Sequence, residues 1–178
     1  MVASGSSPAH AAMVRWVLDG AGPEGAPVHP GLVRWLTWTA LGALLRPVAE
    51  ALPQHLAADS WNRPHCPICG ALPMMAQLVD HAAGKRRLLS CGCCRARWSY
   101  QRLGCPQCGN EDEGKLEILE PAGSEVRLDV CRACQGYLKT YVAEGREELL
   151  LADWTTLHLD AVAREQGLSR HGESVFEV

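Results

Sequence analysis

The chain has 178 residues, 47% of them hydrophobic and 21% charged, with a formal net charge of −3. Such a length suits one or two globular modules, the apolar content excludes a disordered chain, and the slight acidity excludes a polycationic nucleic-acid coat. The nine cysteines are what composition leaves to be explained.

The first 33 residues hold one cation, Arg15, and no apolar stretch of signal-peptide length, so neither a secretory nor a twin-arginine leader is expected. Met13, Val14, Val17 and Leu18 have the spacing of one helix face. Gly20 to Pro30 packs three Gly and three Pro into eleven residues and reads as a loop. From Leu32, apolar residues recur at Leu36, Ala40, Leu44, Val48 and Leu52, with Val33, Leu41 and Leu45 beside them. That spacing predicts an amphipathic helix with a wide apolar face, kinked by Pro47 and ended by Pro53. Only 11 residues separate Arg34 from Arg46, whereas a bilayer crossing needs about 20 apolar residues. The expectation is a soluble, cytoplasmic chain, in which clustered thiols bind metal or do redox work rather than form disulfides.

All nine cysteines fall between Cys66 and Cys134. Residues 61–141 carry eleven cations and eight anions, while residues 142–178 carry three and eight. The middle region is an internal duplication. Cys66-Pro-Ile-Cys69-Gly70 returns 39 residues later as Cys105-Pro-Gln-Cys108-Gly109, and Cys91-x-x-Cys94 returns 40 residues later as Cys131-x-x-Cys134. Two residues between cysteines let a tight turn aim both sulfurs at one point. A second turn, brought alongside by a hairpin, completes a tetrahedron. The spacing therefore assigns Cys66, Cys69, Cys91 and Cys94 to one metal ion and Cys105, Cys108, Cys131 and Cys134 to another. Four thiolates suit zinc or rubredoxin-type iron almost equally. Cys93 is left over as a bystander.

Hairpins are expected where Ala71–Val79 and Lys85–Ser90 flank a polar turn, and where Lys115–Leu119 and Val126–Val130 flank Glu120–Ser124. An aromatic strand follows each second cysteine pair, and Trp98, Tyr100, Tyr137 and Tyr141 are expected to pack between the two modules. His65 reads as a surface histidine or one that supports the neighbouring cysteine ligands from behind, and His81 as a solvated residue of the hairpin bend. Lys85, Arg86 and Arg87 read as an exposed strand face that, with Arg95, Arg97 and Arg102, can form a positive patch. Near the end of the chain Asp153 reads as the N-cap of a short helix burying Leu157, Ala161 and Val162, stopped by Gly167, and the last ten residues read as frayed.

The predicted fold is thus α+β: N-terminal helices (1–60), two tandem rubredoxin-like or zinc-ribbon β modules (61–104 and 105–145), and a short C-terminal helix with its tail (146–178). No serine–histidine–aspartate triad, carboxylate pair or phosphate loop is visible, so no catalytic residue is named. A zinc-ribbon nucleic-acid binder and a rubredoxin-like redox protein are the competing functions; the middle region's small positive excess disfavours the former.

Taken jointly, Cys66-Pro-Ile-Cys69-Gly70, Cys91-x-x-Cys94-x-x-x-Trp98, Cys105-x-x-Cys108 and Cys131-x-x-Cys134-x-Gly136-Tyr-Leu-Lys139 resemble the formate dehydrogenase accessory proteins, the FdhE family. Leu157-His-Leu-Asp160 followed by Gly167 resembles that family's closing helix, and the Leu32–Leu56 segment its last helix before the metal region. The resemblance implies a cytoplasmic maturation factor without turnover of its own. Its protein partner would be the molybdenum- or tungsten-pterin catalytic subunit of formate dehydrogenase before export, with no nucleic acid or membrane involved. Iron is the metal that the resemblance implies, and the eight paired cysteines correspond to the family's ligand positions. Two departures stand out: the family's helical N-terminal domain is considerably longer, and Cys93 is extra.

Overall fold

The structure, a computed structural model, describes residues 30–55, 60–82, 84–143, 148–174 and 176. The helix expected around Met13–Leu18 and the loop before Pro30 lie outside the described residues. Pro30 opens helix α1 (Pro30–His55), where its missing amide and fixed φ suit a first turn. The helix runs unbroken past both Pro47 and Pro53, so Pro53 does not end it. Trp38, Leu41, Leu45, Ala49 and Leu52 pack along one side of α1 against buried residues of the sheet. The expected apolar face is therefore divided: Leu36, Leu44 and Val48 lie on the exposed side.

Each cysteine unit folds as a three-stranded antiparallel meander. The first contains β1 (Pro73–His81), β2 (Gly84–Cys91) and β3 (Arg97–Tyr100). The second contains β4 (Leu116–Leu119), β5 (Val126–Cys131) and β6 (Gly136–Tyr141), with a single 3-10 turn at Glu113–Lys115 before β4. Both hairpins thus form where the polar turns predict them. The meanders join edge to edge. β1 pairs in parallel with β6, setting Met75 beside Lys139, Ala76 beside Thr140 and Gln77 beside Tyr141. The result is one sheet in the order β3-β2-β1-β6-β5-β4. β1 becomes a central strand, and its first six residues are buried, as expected for a strand covered on both faces.

Residue alternation along the strands divides the core in two. On one face Ala76, Leu89, Trp98, Tyr100 and Leu138 pack beneath α1. On the other, Met75, Val126, Leu128, Val130, Tyr137 and Tyr141 pack beneath the C-terminal helices α2 (Leu149–Thr155) and α3 (Leu157–Glu165). The four aromatic residues are therefore split between opposite faces rather than gathered at the module junction, which is a backbone ladder instead.

The C-terminal segment departs furthest from expectation. Asp153 lies inside α2 and is buried; it caps nothing. α3 buries Leu159, Asp160 and Ala163, while Val162 is exposed. Gly167 does stop the helix: its amide bonds to Arg164 O and that of Leu168 to Ala163 O, the paired bonds of a Schellman cap. The tail is not frayed through its described part. Ser169–Arg170 forms β7, parallel to β6, and Arg170 Nη2 donates to Met74 O at 2.9 Å. No helix among the described residues is long and apolar enough to cross a membrane.

Candidate metal centres

The two Cys-Pro-x-Cys-Gly turns are built alike. In the first, Cys66 N donates to Ala71 O at 2.8 Å, Gly70 N to Cys66 O at 3.0 Å, and Ile68 N to Cys66 Sγ at 3.4 Å. In the second, Cys105 N donates to Asn110 O at 2.9 Å, Gly109 N to Cys105 O at 3.0 Å, and Gln107 N to Cys105 Sγ at 3.4 Å. Gly70 and Gly109 have φ of +76° and +74°, a region that a Cβ disfavours. The amides at Ile68 and Gln107 point at sulfur and stabilise thiolate charge.

The second turn of each unit leaves the end of a strand, β2 at Cys91 and β5 at Cys131. It closes through a left-handed residue that is not glycine: Arg95 at φ 64° and Gln135 at φ 54°. Those two positions carry no composition signal, and the sequence reading misses them. They are equivalent under the 40-residue repeat, which is the one signal that could have pointed to them.

The hairpins bring the expected sulfurs together. Cys66 and Cys94 stand 3.5 Å apart and Cys69 and Cys91 3.3 Å apart. In the second quartet Cys105 and Cys134, and Cys108 and Cys131, are each 3.8 Å apart. Within each quartet all four ligand atoms lie within 4.8 Å of one another. A tetrahedron with metal–sulfur bonds near 2.3 Å has edges of about 3.8 Å. The second quartet matches that edge and the first is slightly tighter. Every separation far exceeds a disulfide bond of about 2.05 Å, and all nine cysteines are free thiols. The donor set and spacing fit one tetrahedral, thiophilic ion per quartet.

The quartets differ in exposure. Cys66, Cys91 and Cys94 are buried and Cys69 partly so, whereas Cys108 is exposed and Cys134 half-buried. Charge is uneven within each. Cys69 lies far below the ordinary thiol range, lowered first by Cys66 and then by Cys91, Cys93 and Cys94. Cys66 is also lowered: Cys69 pushes it up, but contacts from Cys91 and Cys94 outweigh that push. Cys91 and Cys94 are driven up, each first by Cys66 and then by Cys69. Four thiols sharing one point cannot all ionise unaided; a divalent cation stabilises all four thiolates together. In the second quartet burial raises Cys105 and Cys134. Cys108 ends below its usual value: burial raises it, but the Asn110 amide and the other three thiols outweigh that.

Other sequence candidates fall away from the centres. Cys93 is buried under α1, its Sγ 3.8 Å from Trp38 O, and is pushed up first by Cys69 and then by burial. His65 and His81 are exposed. Arg87 is not on an exposed strand face: it is buried, 3.3 Å from Asp129, so the expected basic patch loses its central member.

The family profile described as "FdhE, C-terminal domain" matches residues 103–176, a span that contains the whole second quartet. This segment of the chain is similar to the C-terminal domain of the FdhE family. It is similar to the "Protein FdhE homolog" of Shewanella baltica (strain OS185), with 28% identity over 162 residues, covering 90% of this chain and 47% of that protein. The Haemophilus influenzae (strain ATCC 51907 / DSM 11121 / KW20 / Rd) homologue is 28% identical over 142 residues, 78% of this chain and 47% of its own length. The chain thus spans about half the length of the curated relatives it matches. Its fold matches the crystal structure of the FdhE protein from Pseudomonas aeruginosa with a TM-score of 0.63 at 24% identity, covering 97% of this chain and 66% of that one.

Proposed function

We propose that this chain is an accessory protein for the maturation of formate dehydrogenase, acting in the cytoplasm on the immature catalytic subunit and catalysing no reaction of its own. The observation that carries this reading is the coincidence of the second cysteine quartet with the segment matching the FdhE C-terminal domain. The eight paired cysteines, Cys66, Cys69, Cys91 and Cys94 with Cys105, Cys108, Cys131 and Cys134, would hold two ions, iron or zinc. A bound ion would neutralise its thiolates and tie the two turns of each module together, and metal ligation contributes folding energy directly in such modules. The four segments 1–60, 61–104, 105–145 and 146–178 are the units of this reading.

The decisive experiment is co-purification of the tagged full chain from cells that express a native formate dehydrogenase. Recovery of its catalytic subunit, lost on Cys105→Ser with Cys131→Ser, is the expected outcome; recovery of no molybdenum or tungsten enzyme subunit overturns the accessory role. Elemental analysis of anaerobically purified protein should find two ions per chain. A coloured, iron-containing preparation and a colourless, zinc-containing one separate the two metals.

A further inference from the structure

Cys93 is the one cysteine that the two quartets leave out, and the fold sets it against the first of them. It is 4% exposed and belongs to the same packed cluster as Cys66, Cys91 and Cys94. Its thiol is in side-chain contact with that of Cys69, while Cys66 and Cys94 act on it through their charge. On its other side it lies 3.8 Å from Trp38 O and, with Gly92 and Arg95, lines a cavity of about 290 Å³ between α1 and the second cysteine turn. Cys93 thus stands between the first quartet and that cavity. A close-packed interior holds side chains in place; the cavity leaves this one room to turn.

The internal repeat supplies a control. Forty residues on, the place of Cys93 is taken by Ala133, which is exposed. The two modules otherwise correspond turn for turn, so the fold needs no thiol here. A buried free cysteine packs as a small apolar residue does, and its reactivity is what sets it apart. As a thiolate it suits the same soft ion as the four sulfurs beside it. Cys69, the thiol it touches, is also the one member of the first quartet that is partly exposed, and hence the ligand most open to displacement.

We propose that Cys93 is a reserve ligand of the first centre, taking the position of Cys69 when that thiol leaves. The inference rests on the reading that the first quartet holds an ion, and it is indifferent to the accessory role. In the exchange the metal–sulfur bond to Cys69 breaks, that to Cys93 forms, and the proton of the Cys93 thiol passes to the Cys69 sulfur. Nothing is oxidised, four thiolates remain, and the net charge of the centre is unchanged. Cys66, Cys91 and Cys94 keep their places. The first centre therefore survives chemical loss of Cys69, whereas loss of Cys108 leaves the second with three sulfurs.

The test loads the full chain with cadmium-113, whose resonance reports the number of thiolates at each centre and whose couplings to cysteine β protons name them. The unaltered chain should give two tetrathiolate signals. Cys69→Ala should keep the first signal in the tetrathiolate range, with couplings that now reach the β protons of Cys93. Cys108→Ala should move the second signal to the three-thiolate range, and Cys69→Ala with Cys93→Ala should do the same to the first. Loss of a supporting partner alone costs about 10–100-fold in metal affinity, so Cys108→Ala should weaken its ion by about a hundredfold or more, and Cys69→Ala by about tenfold or less.

A second measurement removes no quartet ligand. Metal-loaded protein is treated with iodoacetamide and the label is mapped. Label should appear on Cys69 as well as on Cys93, with the ion retained, because exchange frees the partly exposed thiol. Cys93→Ala should protect Cys69, and Cys108, more exposed but without a reserve, should label more slowly than Cys69. The reserve role is overturned, with the two-ion reading left standing, by any of three results: a first signal that moves in Cys69→Ala as far as the second does in Cys108→Ala, a Cys69→Ala chain that stays unfolded with cadmium present, or Cys69 labelling that is absent or indifferent to Cys93→Ala. Absence of both cadmium signals from the unaltered chain overturns the two-ion reading and this inference with it.

Discussion

Lys139 on β6 and Asp153 on α2 face each other across 2.5 Å, with both side chains sealed from solvent. Lys139 also reaches Asp160 at 2.7 Å, and Arg170 lies 2.8 Å from Asp153 and 3.4 Å from Asp160. Tyr137 Oη donates to Asp160 at 2.7 Å, and Ser174 Oγ bonds to Asp153. Two cations thus meet two carboxylates, with hydroxyls filling remaining acceptor positions. This cluster pins α2, α3 and β7 to the sheet.

Removing one member should cost far more than an exposed ion pair. Lys139→Met leaves Asp153 and Asp160 sharing only Arg170, an uncompensated buried charge. We expect a loss of about 3–5 kcal/mol in unfolding free energy, read as a lower urea midpoint. A change below about 1 kcal/mol, the range of surface pairs, would show that the cluster adds little beyond packing.

The described tail is a second staple. Arg170 bonds to Met74 O, Ser169 N to Gln135 O, and Gly172 sits so close that a Cβ there would lie 1.8 Å from Pro73 O. A chain ending at Leu168 should lose hydrogen-exchange protection at Met74 and Met75 and fall in thermal midpoint, because it forfeits β7 and half the cations of the buried cluster. Gly172→Ala should show the same effect in weaker form, since the atom it meets is backbone. Unchanged protection at Met74 in both variants would mean that the tail merely rests on the surface.

This tail also shows which parts of the fold the sequence discloses. Each cysteine turn and hairpin is specified within a short window by Cys-x-x-Cys spacing, a glycine after the first turn of each unit, and polar residues at the bend. Those elements form where expected, and their sulfurs converge. Arg170 and Met74 are 96 residues apart in the chain, and such a pairing leaves no periodic trace. Asp153 reads as a helix cap because aspartate is common there; only the arrival of Lys139 and Arg170 makes its burial tolerable. The parallel ladder between β1 and β6 is equally silent, since an apolar run in β1 shows burial on both sides without naming the partner. On α1 every apolar residue counts toward one stripe, yet the sheet beneath takes only one side of it.

Unequal exposure of the quartets predicts unequal metal release. Cys108 is exposed and Cys134 half-buried, whereas three of the first quartet's four thiols are buried. A chelator in excess should therefore remove the two ions in two phases, the faster from Cys105, Cys108, Cys131 and Cys134. Cys105→Ser should delete the fast phase and Cys66→Ser the slow one, followed by a metallochromic dye. A single phase in the unaltered chain would mean that one shared opening of the sheet, rather than local exposure, limits release.

The contact between α1 and the first quartet can be tested at Gly42. A Cβ at that position would stand 2.4 Å from the backbone oxygen of Cys93, closer than real Cβ atoms come. The obstructing atom belongs to the main chain of the second cysteine turn, so it cannot swing aside as a flexible side chain would. The helix must instead lift, separating Trp38 O from the Cys93 thiol that now lies 3.8 Å away. Gly42→Ala gains about 1 kcal/mol of helix propensity and should still be destabilising, because overpacking of this kind costs typically 1–3 kcal/mol. In metal-loaded protein the eight paired cysteines are occupied, so Cys93 is the thiol left to titrate. Its reaction with a disulfide reagent should be slow in the unaltered chain and clearly faster in Gly42→Ala, with metal content unchanged. If instead the variant is stabilised and Cys93 stays unreactive, α1 does not depend on close approach at Gly42.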